Sequence, residues 1–251
     1  MCVVEWNRQI NIIIKDVMNS MVLVDMVPMN FNSLFAEHGL LLKIDKGNQI
    51  FQEGENAEEL YLIQKGAVQL SKETESGKEL TLRICGPNSM IGECSVFGPP
   101  INHTMTAKAM MNTELLSMKK DSLEMLLTEQ PTLMIEYIKW LQNEHLKTQS
   151  ILRDLVMHGK KGALYSTLIR LANTYGKLNE NNDLYIDFNL TNSDLANLCS
   201  TSREMVNRML NDLKKQGVIS LDKSIITIHN LEYLKKEICC ENCPLSVCRI
   251  D

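Results

Sequence analysis

Four of the chain's eight cysteines, Cys239, Cys240, Cys243 and Cys248, crowd into one short stretch, ICCENCPLSVC. Cytosolic thiols gathered this way bind metal or do redox work, because structural disulfides are unfavoured in a reducing compartment. The C-x2-C-x4-C spacing of Cys240, Cys243 and Cys248 lets three thiolates converge on one centre. Pro244, directly after a cysteine, is also a feature of iron–sulfur binding runs. Three chemistries remain open on spacing alone. A zinc knob wants four tetrahedral ligands, and Cys239 is a poor fourth because adjacent side chains diverge. The other two are a [4Fe–4S] cluster and a thiol switch. Cys199 reads as core, and Cys2, Cys85 and Cys94 show no partner pattern.

A second constellation lies upstream, in LTNSDLANLCSTSREMVNRMLNDLKKQGVIS, Leu190 to Ser220. Thr191 with Asp194 makes a capping-box start for one helix. The Ser200-Thr201-Ser202 cluster ends it and caps the next, with Glu204 placed to reach back. Val206, Met209, Leu210 and Leu213 then form one buried stripe at i, i+3, i+4, i+7. The opposite face presents Arg203, Glu204, Asn207, Arg208 and Asn211, whose donors and acceptors match base edges in a major groove. Two β-branched runs follow, from Val218 and from Ser224, with Leu221-Asp222-Lys223 as the turn between them. Two helices followed by a two-stranded wing make a winged helix-turn-helix.

This segment resembles the DNA-binding end of the Crp/Fnr family of bacterial transcription regulators. Its S-R-E-x-V-x-R core stands here as Ser202, Arg203, Glu204, Val206 and Arg208. The family often has Gly in the turn where this chain has Ser200, which adds strain if that position is left-handed.

The chain must also position these groups. Its 251 residues hold two modest domains, and 44% apolar residues are enough for real cores. The net charge of −5 excludes a polycation that binds nucleic acid in bulk, so any DNA contact must be local. Arg203, Arg208, Lys214-Lys215 and Lys160-Lys161 are the candidates for that surface. Residues 1–29 read as an N-terminal extension. Lys15, Asp16 and Asp25 break its apolar runs, leaving no membrane span and no signal peptide, so a cytoplasmic chain is expected.

From Leu40, short strands punctuated by glycine predict a small antiparallel roll. The segments around Ile50-Phe51, Leu60-Tyr61-Leu62-Ile63 and Ile91-Gly92-Glu93 resemble the cyclic-nucleotide-binding fold of the same family. The resemblance implies an Arg-Ser pair for the nucleotide phosphate, but those positions fall on His103 and Thr104. A neutral imidazole cannot replace a planar, permanently charged fork. The domain is therefore expected to be a scaffold without cyclic nucleotide, and Glu93 to be structural.

Pro131 to about Met157 reads as one long helix. Met134, Ile138, Leu141, His145, Thr148, Leu152 and Leu155 alternate in steps of four and three, a heptad seam for a homodimer. His158-Gly159 is the expected hinge, and Ala163 to Tyr175 an amphipathic helix.

The expected fold is α+β: extension 1–29, a cyclic-nucleotide-binding-like β-roll over 30–130, a dimerisation helix and hinge over 131–158, a winged helix over 159–236 and a cysteine tail over 237–251. A cysteine group after the winged helix is similar to the Bacillus-type branch of Fnr, the oxygen-responsive regulators. That resemblance implies a [4Fe–4S] cluster held by Cys240, Cys243, Cys248 and Asp154. It further implies activity without oxygen, RNA polymerase as a partner, and an inverted repeat of TGTGA-like half-sites on double-stranded DNA. Arg203 and Arg208 would donate to guanine and Glu204 accept from cytosine. No catalytic residues are expected. The alternatives are a cyclic-nucleotide-regulated activator with a zinc-stabilised or redox-switch tail, and a redox enzyme using the tail thiols.

Overall fold

The computed structural model describes residues 29–92, 95–180 and 183–251. Residues 1–28, with Cys2, lie outside them, as do Glu93 and Cys94. The described chain opens with a helix, α1 (Met29–His38), which sequence patterning did not reveal. Eight strands follow: β1 (Leu40–Ile44), β2 (Gln49–Phe51), β3 (Glu59–Lys65), β4 (Val68–Glu73), β5 (Glu79–Cys85), β6 (Met90–Ile91), β7 (Thr106–Ala109) and β8 (Thr113–Lys119). They form two antiparallel four-stranded sheets, ordered β1-β8-β3-β6 and β2-β7-β4-β5.

The apolar run in β3 follows from its place in the roll. Tyr61 and Ile63 join the core between the sheets, whereas Leu60 and Leu62 join the core beneath the helices. Successive side chains on a strand point to opposite faces, so a strand covered on both sides reads as continuously apolar. His103 is turned into the first of these faces. It is buried and stacks on Phe51 with ring centroids 3.8 Å apart.

Next come α2 (Lys120–Glu129) and α3 (Pro131–Tyr175), the latter with Pro131 in its first turn. The middle of the expected seam is uncovered in the single chain: Ile138, Leu141 and Leu152 are exposed, as are His145 and Thr148. The seam's two ends are diverted. Met134 packs on the β-roll core and Leu155 on the winged-domain core.

Gly159 interrupts α3 with φ 58° and ψ −159°, at the expected hinge. Beyond it the structure corrects the amphipathic expectation. Every residue from Gly162 to Ala172 is buried, because this half of α3 is covered on all sides by the winged domain, the β-roll and the tail.

The winged domain comprises β9 (Gly176–Leu178), β10 (Leu184–Ile186), α4 (Asn192–Leu198), α5 (Arg203–Lys215), β11 (Ile219–Asp222), β12 (Ile225–Ile228) and α6 (Leu231–Glu237). Its sheet is ordered β11-β12-β10-β9. The wing turn is tighter than expected. Leu221 and Asp222 belong to the strand, and Lys223, with φ 55°, turns the chain. Among the described residues no helix is long and apolar enough to cross a membrane.

The two glycines of the kink differ physically. A side chain at Gly159 would meet open space and carry only the cost of its left-handed backbone. A Cβ at Gly162 would lie 2.0 Å from the Cβ of His158. Gly159→Ala is therefore expected to lose about 1–3 kcal/mol in urea unfolding, because φ 58° with ψ −159° is a backbone that essentially only glycine adopts, and Gly162→Ala about 1–3 kcal/mol through overpacking. Enlarging the side chain from Ala to Leu should add little at Gly159, which faces open space, and more at Gly162; equal increments would contradict this reading of the kink.

Candidate metal centre and nucleic-acid interface

The tail starts where α6 ends and is shaped by its own backbone. Asn230 caps α6 by accepting from the backbone N–H of Tyr233. Cys239 and Asn242 then adopt left-handed conformations with φ 46° and 52°. The Cys240 N–H donates to the carbonyl of Lys235, and the N–H groups of Val247 and Cys248 to that of Pro244. These bonds fold the tail back on itself, while Ile238, Val247 and Ile250 bury their side chains as anchors.

The tail then lies along both halves of α3. Asn143 donates to the Ser246 carbonyl at 3.2 Å, and Asn173 to the Cys248 carbonyl at 2.8 Å. The buried ammonium of Lys147 donates to the Asp251 carbonyl at 3.0 Å. Ile250 takes its carbonyl to the N–H of Ile84 in β5, 3.1 Å away. One short segment thereby touches the β-roll, the long helix and the winged domain.

Asp154 lies at the centre of this junction, 3% exposed. Arg153 donates twice to Oδ1, from Nε at 3.0 Å and Nη2 at 2.7 Å. Ser166 and Arg170 donate to Oδ2, the latter at 2.7 Å. Burial opposes the charge on Asp154, but the bonds from Ser166, Arg170 and Arg153 together outweigh it and hold the carboxyl below its ordinary pKa. Arg170 also donates to the Ser150 hydroxyl at 2.8 Å and the Val247 carbonyl at 3.3 Å. Its guanidinium thus joins Asp154 and Ser150 on one half of α3 to the tail.

Three thiols lie along the tail that borders this network. Cys243 Sγ lies 3.8 Å from Ser150 Oγ. Burial pushes the Cys248 thiol up; Arg170 opposes this, while nearby Cys240, Cys243 and Asp154 add to it. Cys240, Cys243 and Cys248 are half-buried, whereas Cys239 is exposed. The residue types fit a centre of three soft thiolates and one harder carboxylate. Among the described residues no three His, Cys, Asp or Glu side chains stand in a metal-ligating arrangement. The four donors also occupy the carboxylate's four lone-pair positions. Ligation by Asp154 requires a donor to leave, and Arg153, at 28% side-chain exposure, is the one with room to do so.

Sequence reasoning missed Arg170, Ser150 and Ser166. A signal was available: Arg170 stands in the apolar run LYSTLIRLA, and an arginine is almost never buried without a partner.

The nucleic-acid interface is built as its local signals dictate. Thr191 and Asp194 form the reciprocal capping box of α4, and Ser202 caps α5 through the N–H of Met205. The carboxyl of Glu204 is held low by its own backbone N–H and by the Ser202 hydroxyl. Ser200 is left-handed, with φ 48°. Val206, Leu210 and Leu213 face the core, and Met209 is only partly covered. Ser202, Arg203, Glu204, Asn207 and Arg208 are exposed on the other side. Cys199 is buried against Thr167, and burial pushes its thiol up to about 12.

Residues 41–130 match the cyclic nucleotide-binding domain family, and residues 162–237 the Crp-like helix-turn-helix domain family. The chain is 45% identical over 228 residues to the anaerobic regulatory protein of Bacillus subtilis (strain 168), covering 90% of this chain and 95% of that one. It is 30% identical over 191 residues to the CRP-like cAMP-activated global transcriptional regulator of Mycobacterium tuberculosis (strain H37Rv), covering 76% and 84% of the two chains. Among solved structures, FixK2 from Bradyrhizobium japonicum superposes with a TM-score of 0.69 at 20% identity, over 79% of this chain and 96% of that one. That last likeness shows the fold alone.

The Asp154–Arg170 pair is buried on both sides, and Arg153 is not. Arg170→Met is expected to cost about 3–5 kcal/mol in urea unfolding of the metal-free chain, because it strands a buried carboxylate. Arg153→Met should cost less, about 1–3 kcal/mol, because it leaves Oδ1 without its two donors while Arg170 still pairs the charge. Equal losses would show that Arg170 does not hold the junction.

Proposed function

The chain belongs to the Crp/Fnr family of DNA-binding transcription regulators, and we propose that it is a homodimer active with a [4Fe–4S] cluster and inactivated by oxygen. The proposal is supported by the C-x2-C-x4-C spacing of Cys240, Cys243 and Cys248 in a tail whose backbone is bonded to both halves of α3, with Cys243 Sγ 3.8 Å from Ser150, one helical turn before Asp154. Likeness to the anaerobic regulatory protein over nine-tenths of the chain supports the same reading.

Cys240, Cys243, Cys248 and Asp154 would hold the cluster. When bound, it supplies a cross-link between tail and long helix that dioxygen or nitric oxide can destroy. The protein's residues do the rest. Arg170 keeps Asp154 ionised and aimed at the tail, and Arg153 withdraws from Oδ1 to open a coordination position. Metal ligation by thiols releases protons, so it weakens as pH falls. With the tail fastened, Gly159 cannot swing, and the two reading helices of a dimer stay about one turn of DNA apart. Freeing the tail makes that arrangement a minority state.

The dimer reading rests on Ile138, Leu141 and Leu152, large apolar side chains left 55%, 45% and 58% exposed along one line of α3. His145 and Thr148 between them weaken the seam and fix its register. On DNA, Arg203 and Arg208 would read guanine and Glu204 cytosine, in an inverted repeat of TGTGA-like half-sites. Ser202 and Asn207 would contact the same strands, with RNA polymerase the further partner in a cytoplasmic setting.

The second reading, a cyclic-nucleotide-regulated activator with a zinc-bound tail, draws on the likeness to the cAMP-activated regulator. His103 counts against it, since it lies against Phe51 where the nucleotide-binding relatives' Arg is expected.

Purification without air separates the two. The cluster reading predicts a brown protein with about four iron and four sulfide per chain that bleaches on exposure to air. A colourless protein carrying stoichiometric zinc would reject it.

A further inference from the structure

An open hollow of about 570 Å³ lies between the start of the second half of α3 and the flank of α5. Four cations line it: Lys160 and Lys161 from just past the kink, and Arg208 and Lys215 from the reading helix. Asp212 is the one acidic residue in its wall. In a chain of net charge −5 this is a local reversal of sign. Arg208 is folded into the hollow, its Nη2 2.8 Å from Met205 Sδ, so the hollow and the base-reading face share a residue. Lys161 crosses the Tyr165 ring, 5.3 Å from its centroid, and ends 2.7 Å from Glu237 Oε2. Glu237 is the last residue of α6, immediately before the cysteine tail.

We propose that this hollow seats a backbone phosphate of the DNA flanking the bases read by α5, with Lys160 and Lys161 as its cations, and that Glu237 competes with the phosphate for Lys161. A shallow, solvent-open hollow suits a strand passing across it; a small free anion would need an enclosing pocket. Contacts to phosphate fix register and carry no sequence information, which fits lysines placed at the rim of the reading helix rather than on its outer face. Because Glu237 leads directly into the tail, the position of the tail sets whether Lys161 is held by the carboxylate or released to DNA. The proposal rests on DNA binding by this domain and on neither the half-site sequence nor the metal.

The test is fluorescence anisotropy with the full chain, handled without air, on a site-bearing and a scrambled duplex between 50 and 200 mM KCl. Lys160→Ala and Lys161→Ala should each weaken both duplexes by the same factor and reduce the slope of log K against log salt by about 1. One contact changes affinity about three- to fourfold over that salt range. Lys161→Arg should keep the slope, which guards against a folding defect. Glu237→Gln should tighten both duplexes in the parent chain and have no effect in the Lys161→Ala background. Unchanged slopes, or a loss confined to the site-bearing duplex, would overturn the proposal. So would calorimetric binding of AMP that depends on Lys161 while the duplex slopes stay fixed, since that assigns the hollow to a small anion.

Discussion

The structure turns on one buried carboxylate. Asp154 lies deep between the two halves of α3, with Ser166 and Arg170 on one oxygen and Arg153 on the other. A buried charge is tolerated only when paired and hydrogen-bonded, so every group around Asp154 is constrained by it. Arg170 cannot leave without stranding the acid, and while it stays it also grips Ser150 and the tail carbonyl of Val247. The pair closes the α3 kink upon itself: Asp154 precedes Gly159, and Ser166 and Arg170 follow it.

The closed kink is also where the short tail docks. Asn143, Lys147, Asn173, Thr174 and Ile84 all bond its backbone. Glu79 in β5 bonds Asn197 of α4 at 2.8 Å, and the Tyr175 hydroxyl donates to the Ile84 carbonyl at 2.9 Å. The β-roll, the long helix and the winged domain therefore meet where the cysteines are. Glu237, just before the tail's cysteines, bonds Lys161 at the flank of α5.

Much of the α+β fold was legible, because the relevant signals are local. Thr191, Asp194 and Ser202 cap helices by their own side chains, and Gly159 takes a backbone that glycine adopts freely. What escaped depends on distant partners. The stretch Gly162 to Ala172 contains Ser166, Thr167 and Arg170, which imitate a polar face until Asp154, Cys199 and Val247 arrive to pair them. Met134 and Leu155 fit the heptad, yet each is claimed by a nearer core. Asp154, next to Arg153 in the sequence, carries no local sign of burial. Its burial is a tertiary fact, and only the family resemblance pointed to it.

Under the proposed function, thiol ligation of the tail to the long helix would set the DNA-binding state. The direct measurement is the affinity of the intact chain and of a Cys240→Ser, Cys243→Ser, Cys248→Ser variant for an inverted-repeat duplex under nitrogen. Binding to scrambled DNA serves as the control for folding. A loss of about 5- to 150-fold on the repeat alone, the usual size of coupling between two sites, is the predicted result. Equal affinity of the two chains for the repeat would contradict the account.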